Sequence, residues 1–551
     1  MIVDVRISDL LNLIGKQLTL EELEENLFLL KCELERVVDG IATIEVNPDR
    51  VDMLSTEGIA RALRGFLEIE MGVPKYRVYS SKWQAIVESS VADVRPYLAC
   101  GIVRGVDLTS DLIAEYMQFQ ERLTSTFGRS RKKASIGLYE LDLIKPPIYY
   151  RTASPNAISF IPLEGTDVMT AKQILRSHPK GQEFGVILEG FSQYPVLIDS
   201  EGQVLSLPPI INSNDLGRIV DTTRNLFVEV TGTHKPTTIH ALNIMIAALA
   251  ERGGRIAAVE TVYPQGAERL PNLSPQRRSV SLSYVNTVLG YQFDGPTVAH
   301  CLARMRMDCT SRGDTLRVAI PQYRVDILHD IDIVEDIAIG YGFNRIEPTL
   351  PNTMTIGGEL PMTTLRRTIR DLMVGLGYQE IWTYVLTNIR TLFEKMNLPP
   401  SQIVEISNPK STEYHVARDR LLPGVLAFLG ENSAQELPQR VFEAGDVVIV
   451  DSKAETQTQT LLHLAAALVD SRVDITKLKA ELFSFLQNLG LTAEVTPISN
   501  PSFIDGRVGA IHVAGRKIGI IGEVHPVVLA NYGIEAPCMG FELEIIADWA
   551  S

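Results

Sequence analysis

Leu20, Leu23, Leu27 and Leu30 recur at intervals that line one face of an α-helix. Thr19 and Glu22 stand at its front as a capping box, in which each side chain satisfies the other residue's free backbone N–H. A short strand, Ile2 to Ile7, is predicted before it. After the turn Asn47-Pro48-Asp49-Arg50, a second helix sets Ile59, Ala60, Leu63, Phe66 and Leu67 on one side. Pro74 to Ser81 reads as a linker. From Ile86 to Val262, strands at Tyr194 to Ile198 and Leu226 to Thr231 mix with long helices. One helix, near Thr238 to Arg252, turns Leu242, Met245, Ile246 and Leu249 inward and stops at Gly253-Gly254.

The Pro-, Gly- and Asn-rich stretch Val262 to Arg278 marks a boundary. Ser279 to Pro348 then reads strand, helix, helix, strand, helix, with one helix at Thr297 to Met307 and a strand at Thr315 to Ile320. Glu347 to Pro361, with its prolines and glycines, is a further boundary. Beyond it Leu365, Ile369, Leu372, Met373 and Leu376 form an apolar helical stripe that ends at Gly377. Strands are predicted at Ile381 to Leu386, Val441 to Val450, Leu461 to Leu468, Ala510 to Val513 and Phe541 to Ile545. Helices and strands interleave without regular βαβ spacing, which favours an α+β fold with antiparallel or mixed sheets. Four domains are expected, at 1–85, 86–265, 270–348 and 350–551.

The chain has 551 residues, 52 Lys plus Arg and 67 Asp plus Glu, for a net charge of −15. With 45% hydrophobic and 22% charged residues, the composition is globular and excludes general disorder. The longest apolar run, His240 to Ala250, falls short of the ~18 residues that span a membrane. The start Met-Ile-Val-Asp-Val-Arg predicts no signal peptide. Five scattered cysteines without Cys-x-x-Cys spacing make disulfides and structural zinc unexpected and suit a reducing cytoplasm. Net acidity argues against a nucleic-acid coat protein but leaves room for an RNA held by local patches. Arg129, Arg131, Lys132 and Lys133 form such a patch, which could grip phosphates or be a solvated loop. The smaller pair is Arg277 and Arg278. No His-Glu-x-x-His pattern, Walker loop or nucleophile elbow occurs.

The sharpest chemical feature is an acidic cluster. Asp332, Glu335 and Asp336 fall at i, i+3 and i+4 and so share a helix face, and Asp326 lies six residues before Asp332. Crowded carboxylates raise one another's pKa, and a hard divalent cation removes the conflict. The alternative is a solvated acidic first turn favoured by the helix dipole.

Arg324-Val-Asp326 followed by Asp332-Ile-Val-Glu335-Asp336 and Tyr341-Gly-Phe-Asn resembles the small magnesium-carrying domain of phenylalanyl-tRNA synthetase β subunits. Asn47-Pro48-Asp49-Arg50-Val-Asp52 with Gly58-Ile-Ala-Arg61 resembles the family's N-terminal signature. Ser135-Ile-Gly-Leu-Tyr139, Leu207-Pro-Pro-Ile-Ile-Asn212 and Val230-Thr231-Gly-Thr233 resemble its central domain. The blocks are collinear, span nearly the whole chain and look archaeal in type. The resemblance implies an N-terminal α+β domain, a mixed α/β editing-like domain, a small winged-helix-like metal domain and a C-terminal antiparallel module like a class II synthetase. It implies an α2β2 tetramer in the cytoplasm that joins phenylalanine to tRNA(Phe), with ATP and phenylalanine bound on the α chain. It implies magnesium (Mg2+) on Asp326, Asp332, Glu335 and Asp336. Asp336 stands where bacterial relatives usually have Glu, which suggests contact through water.

Class II adenylation needs an Arg two residues before a Glu on one strand. Before Glu443 that position is Val441, within Arg440-Val-Phe-Glu443. A second, late arginine is also needed, and none follows Arg516. Without cationic clamps on the phosphates the module is expected to be catalytically silent. The family also hydrolyses tyrosyl-tRNA at a separate β-chain pocket, because apolar contacts alone reject an added hydroxyl only ~100-fold. Leu197, Ser206, Glu229 and Thr231 are the positions that correspond to it here. Glu229 would accept the tyrosine hydroxyl, and Asp at that position in archaeal relatives implies a different depth. Alternating strand residues are also ordinary core, so that reading stays open. Two other functions stand beside the ligase subunit: a non-catalytic RNA-binding scaffold and a free-standing editing hydrolase.

Overall fold

In the computed structural model the chain forms two compact units, Met1–Leu350 and Pro351–Ser551. The structure describes residues 1–546 and 549. It is a mixed α and β architecture throughout, and among the described residues no helix is long and apolar enough to cross a membrane.

The first unit opens with an antiparallel sheet whose central strand, Ile41–Val46, pairs with Ile2–Arg6 and Cys32–Val38. The tight turn between its last two strands uses Asp39 and Gly40 at φ 50° and 75°, the left-handed pair that a two-residue hairpin requires. The Thr19–Glu22 capping box forms as expected, with Glu22 N to Thr19 Oγ1 at 3.1 Å and Thr19 N to Glu22 Oε2 at 2.8 Å. An additional helix, Ile7–Ile14, follows the first strand directly and buries Leu10, Leu11 and Ile14. It is too short for its period to stand out in the sequence.

An eleven-stranded mixed sheet follows. Its long path runs Ile211–Asn212, Val204–Leu207, Tyr194–Ile198, Ile148–Ala153, Gln84–Val87, Arg255–Tyr263, Tyr97–Arg104, Asn225–Gly232 and Ala134–Glu140. Asn225–Gly232 has an antiparallel neighbour on each side, so its side chains are nearly all buried. Helix Lys235–Glu251 packs on the sheet through Leu242, Met245, Ile246 and Leu249, the face expected from the sequence. The unit ends in a three-stranded sheet (Gln276–Ser281, Thr315–Ile320, Asp308–Arg312) with helices Leu282–Leu289, Gly295–Arg304 and Asp330–Tyr341.

In the second unit a seven-stranded sheet has helices on both faces. Its strands run in the order Gln379–Glu380, Gln439–Val450, Thr458–Val469, Cys538–Ile545, Arg516–Val524, Phe503–Val513 and Ala493–Pro497. Every pairing is antiparallel except the first. Leu464, Ala466 and Leu468 join the core that holds Leu365, Ile369 and Met373. Ala465, Ala467 and Val469 meet Val425, Leu426 and Leu429 on the opposite face. Both faces are buried, so this strand is a continuous apolar run and not an alternation. The expected strand Ile381 to Leu386 does not form. Ile381 alone of that segment turns into the core, and Trp382 and Tyr384 are exposed. The pairings that do form lie at its two edges, Gln379–Glu380 and Leu386–Thr387.

Candidate functional site

Glu229 occupies the middle of strand Asn225–Gly232, opposite Cys100 on one neighbour and Gly137 on the other. Its side chain is buried beneath a cavity of about 250 Å³. Tyr139 Oη donates to Glu229 Oε2 at 2.9 Å, and Oε1 has no hydrogen-bond partner. Gly137 makes the room: a Cβ there would lie 2.4 Å from Tyr139 Oη and 2.6 Å from Glu229 Oε2. Burial pushes the Glu229 carboxyl up to about 7, against the lowering pull of Tyr139, Arg95 and Thr231.

Ser206 also lines the cavity, and its Oγ is buried without a partner. No base is hydrogen-bonded to that hydroxyl, so nothing activates it as a nucleophile. Ile136, Leu138 and Pro208 supply apolar wall, and Gln120, His178 and Lys180 stand among the polar lining. The cavity therefore combines apolar wall with two buried oxygens that lack partners.

The other two expected residues lie behind this lining. Leu197 pairs directly with Ser206 in the ladder but is core. Thr231 Oγ1 accepts from Arg95 Nε at 2.9 Å and lies 3.0 Å from Ser135 Oγ. Arg95 also donates to the Thr231 carbonyl at 2.6 Å, and burial pulls its guanidinium down to about 10. Tyr139, hydrogen-bonded to Glu229 and Asn212, and Arg95, bound to Thr231, are neighbours that a sequence reading does not bring together. Tyr139 and Asn212 sit within recognisable motifs, but their meeting with Glu229 depends on sheet order.

The basic loop is divided. Arg129 and Lys132 are exposed and Lys133 is half-buried. Arg131 departs from the expected phosphate contact. It is buried, donates to the carbonyls of Pro209 and Ile210 at 3.1 and 2.9 Å, pairs with Glu121 and stacks on Phe184. Its charge is spent on holding the cavity wall.

The acidic cluster is also divided. Arg324 Nη2 reaches Asp326 Oδ2 at 2.7 Å and Asp336 Oδ2 at 2.6 Å. Asp332 Oδ2 accepts from the backbone N–H groups of Leu328 and His329 at 2.7 and 2.6 Å and so caps its own helix. Glu335 pairs with Lys31 at 3.0 Å, which also binds Asp49. Asp336 faces inward while Asp332 and Glu335 keep solvent contact. Among the described residues, no group of three or more His, Cys, Asp and Glu is gathered to hold a metal ion. Magnesium asks for several oxygens directed at one point, whereas here the four carboxylates turn to Arg324, Lys31 and the backbone N–H groups of Leu328 and His329.

In the second unit Val441 is core. Arg440 pairs with Glu481 at 2.7 Å and lies over the Tyr378 ring. Glu443 is buried and accepts from Arg418 at 2.7 Å and Thr383 at 2.6 Å. A neighbouring cavity of about 370 Å³ is lined by Trp382, Tyr384, Arg418, Arg420 and Phe428, among others. Its two arginines are paired, Arg418 with Glu443 and Arg420 with Asp419.

Two family profiles match the chain. One, described as the phenylalanyl tRNA synthetase beta chain CLM domain, matches residues 346–545. The other, described as the tRNA synthetase B5 domain, matches residues 278–343. These matches define the chain as an aminoacyl-tRNA synthetase component. Phenylalanine–tRNA ligase beta subunits are similar over nearly their full length. That of Pyrococcus horikoshii is 41% identical, covering 98% of each chain. That of Thermococcus gammatolerans is 40% identical, covering 98% of this chain and 97% of the relative. The crystal structure of an N-terminal fragment of the phenylalanyl-tRNA synthetase beta-subunit from Pyrococcus horikoshii covers 62% of this chain and 99% of the fragment, with a TM-score of 0.60 at 39% identity. The chain belongs to the phenylalanine–tRNA ligase beta subunit family, of the archaeal type, and is a ligase component.

Proposed function

We propose that the chain works with an α subunit, in an α2β2 tetramer, to attach L-phenylalanine to tRNA(Phe) using ATP, and that its central domain hydrolyses mischarged tyrosyl-tRNA(Phe). Phenylalanyl-adenylate is made on the α chain. The second unit here contributes packing, because its arginines near the Glu443 strand are tied to carboxylates.

The observation that carries the editing reading is the pair of buried oxygens without partners, Glu229 Oε1 and Ser206 Oγ, in one apolar cavity. A tyrosyl ring fills the slot and its hydroxyl donates to Glu229. A phenylalanyl ring leaves that oxygen buried and unpaired, so the correct product is released intact. Hydrolysis then needs a water directed at the ester carbonyl. The ester C–O bond breaks, tyrosine leaves as the carboxylic acid, and the proton passes to the ribose oxygen. In the absence of an activated nucleophile, the bound tRNA orients that water.

The test is tyrosyl-tRNA(Phe) deacylation by the co-expressed tetramer, wild type and Glu229→Ala. Loss of hydrolysis in the variant, with aminoacylation retained, supports the reading. An intact rate removes Glu229 from the pocket. Hydrolysis by the solitary chain would favour a free-standing hydrolase, and no hydrolysis in any form would favour a scaffold.

A further inference from the structure

We propose that Tyr139 is a positioning residue for Glu229: it occupies one carboxylate oxygen, Oε2, so that Oε1 alone is offered to the hydroxyl of a tyrosyl group in the cavity. This rests on the editing reading above and deepens it.

The Tyr139 hydroxyl has one proton and two acceptors in reach, Glu229 Oε2 at 2.9 Å and Asn212 Oδ1 at 3.2 Å. Asn212 Nδ2 donates to the Leu138 carbonyl at 3.4 Å, which turns Oδ1 toward the phenol. When Glu229 is ionised, the charged oxygen is the stronger acceptor and takes the proton. Oε1 is then an anionic acceptor with no donor from the protein. A phenol on the ligand supplies the missing donor, and a phenyl ring does not. When Glu229 is protonated, the chain of donors reverses. Glu229 donates to Tyr139, Tyr139 donates to Asn212, and Oε1 is a neutral carbonyl that discriminates weakly. One hydroxyl thus satisfies both charge states and tells them apart.

The phenol is held for this task. Tyr139 is fully buried, and its ring centroid lies 6.0 Å from that of Phe227. Gly137 leaves the space in which the two side chains meet. The ionisable groups around Glu229 are Arg95 before strand Tyr97–Arg104, Cys100 on that strand, Tyr139, and Tyr150 on strand Ile148–Ala153. Arg95 is bound to Thr231, Ser135 and Lys132, and Tyr139 makes the direct 2.9 Å contact to the carboxylate and lowers its pKa more than Thr231 does.

The experiment compares wild type, Tyr139→Phe, Gly137→Ala and Glu229→Gln in the assembled tetramer. It measures kcat/KM for deacylation of tyrosyl- and phenylalanyl-tRNA(Phe) from about pH 5.5 to about pH 8.5. Tyr139→Phe keeps the ring and should lower the tyrosyl-to-phenylalanyl ratio about 10-fold. It should also move the midpoint of the tyrosyl profile up by about one pH unit, because the ionised form has lost its donor. Gly137→Ala keeps every polar group and drives the pair apart, so it should shift the midpoint in the same direction. A wild-type ratio and midpoint in Tyr139→Phe overturn the inference. If Glu229→Gln destroys the discrimination while Tyr139→Phe does not, the positioning role alone falls. If Glu229→Gln also leaves it intact, the editing reading falls, and the inference with it.

Discussion

Arg324 and Asp336 face each other across 2.6 Å, both withdrawn from solvent, and the same guanidinium nitrogen serves Asp326. Burial lifts the Asp336 carboxyl to about 6, and the Arg324 guanidinium opposes that rise. Nearby, the outcome is reversed at Asp52, whose carboxyl burial would raise and Arg50 and Arg61 draw down to about 2. Removing one member of a buried pair leaves an uncompensated charge and costs ~3–5 kcal/mol. Arg324→Leu should therefore lower stability to urea by about that amount. An unfolding midpoint unchanged from wild type would show that the arginine does not compensate the two carboxylates.

Asp332 has a different task from its acidic neighbours. It accepts two backbone N–H groups at the start of helix Asp330–Tyr341, donors that would otherwise be orphaned. Asp332→Ala should cost ~1 kcal/mol, the usual value of a lost cap. The loss should be the same with and without magnesium in thermal melts of the solitary chain. A cost that appears in magnesium alone would return Asp332 to a ligand role.

The buried Glu229 carboxyl makes stability fall as pH rises. Its folded pKa, about 7, is above the ordinary 4.5, so between those values the folded state holds a proton that the unfolded state has released. Stability associated with this group is intact below the ordinary value and declines until pH passes about 7, by a few kcal/mol in all. Glu229→Gln removes the titration. The wild type should lose melting temperature relative to the variant across that window and run parallel to it outside. Parallel melting curves throughout would mean that the carboxyl is ionised at its ordinary pH.

Much of this site was out of reach of pattern reading, for physical reasons. Periodicity located strand Asn225–Gly232 and helix Lys235–Glu251, because burial on both sides leaves a long apolar run. It could not locate Tyr139 beside Glu229, because cross-strand register is set by turns and packing far away in the chain. Spacing brought Asp332, Glu335 and Asp336 together on a helix. It did not disclose Arg324 and Lys31, the cations that separate them. Arg131 likewise reads as a surface charge until the Pro209 and Ile210 carbonyls are folded against it.

That placement of Arg131 yields a contrast within one basic loop. Arg131→Met should impair tyrosyl-tRNA deacylation, since the cavity wall loses its anchor. It should leave the salt dependence of tRNA binding unchanged. Exposed Arg129 and Lys132 are the residues free to meet phosphate. A charge reversal at either should reduce the slope of log affinity against log salt by about 1 if that residue contacts the backbone. Filter binding at several salt concentrations separates the two effects.

Adenylation should be beyond this chain alone. The arginines beside the Glu443 strand are engaged: Arg418 on Glu443 and Arg440 on Glu481. Position 441 presents valine to a core shared with Ile381 and Val425. ATP–pyrophosphate exchange dependent on phenylalanine should be at background for the solitary chain and appear when the α chain is co-expressed. Val441→Arg should not restore it. A guanidinium forced into that core is desolvated without a partner, so the expected result is a loss of folded protein. Exchange by the solitary wild-type chain would place a phosphate clamp in this unit after all, and would overturn the assignment of adenylation to the α subunit.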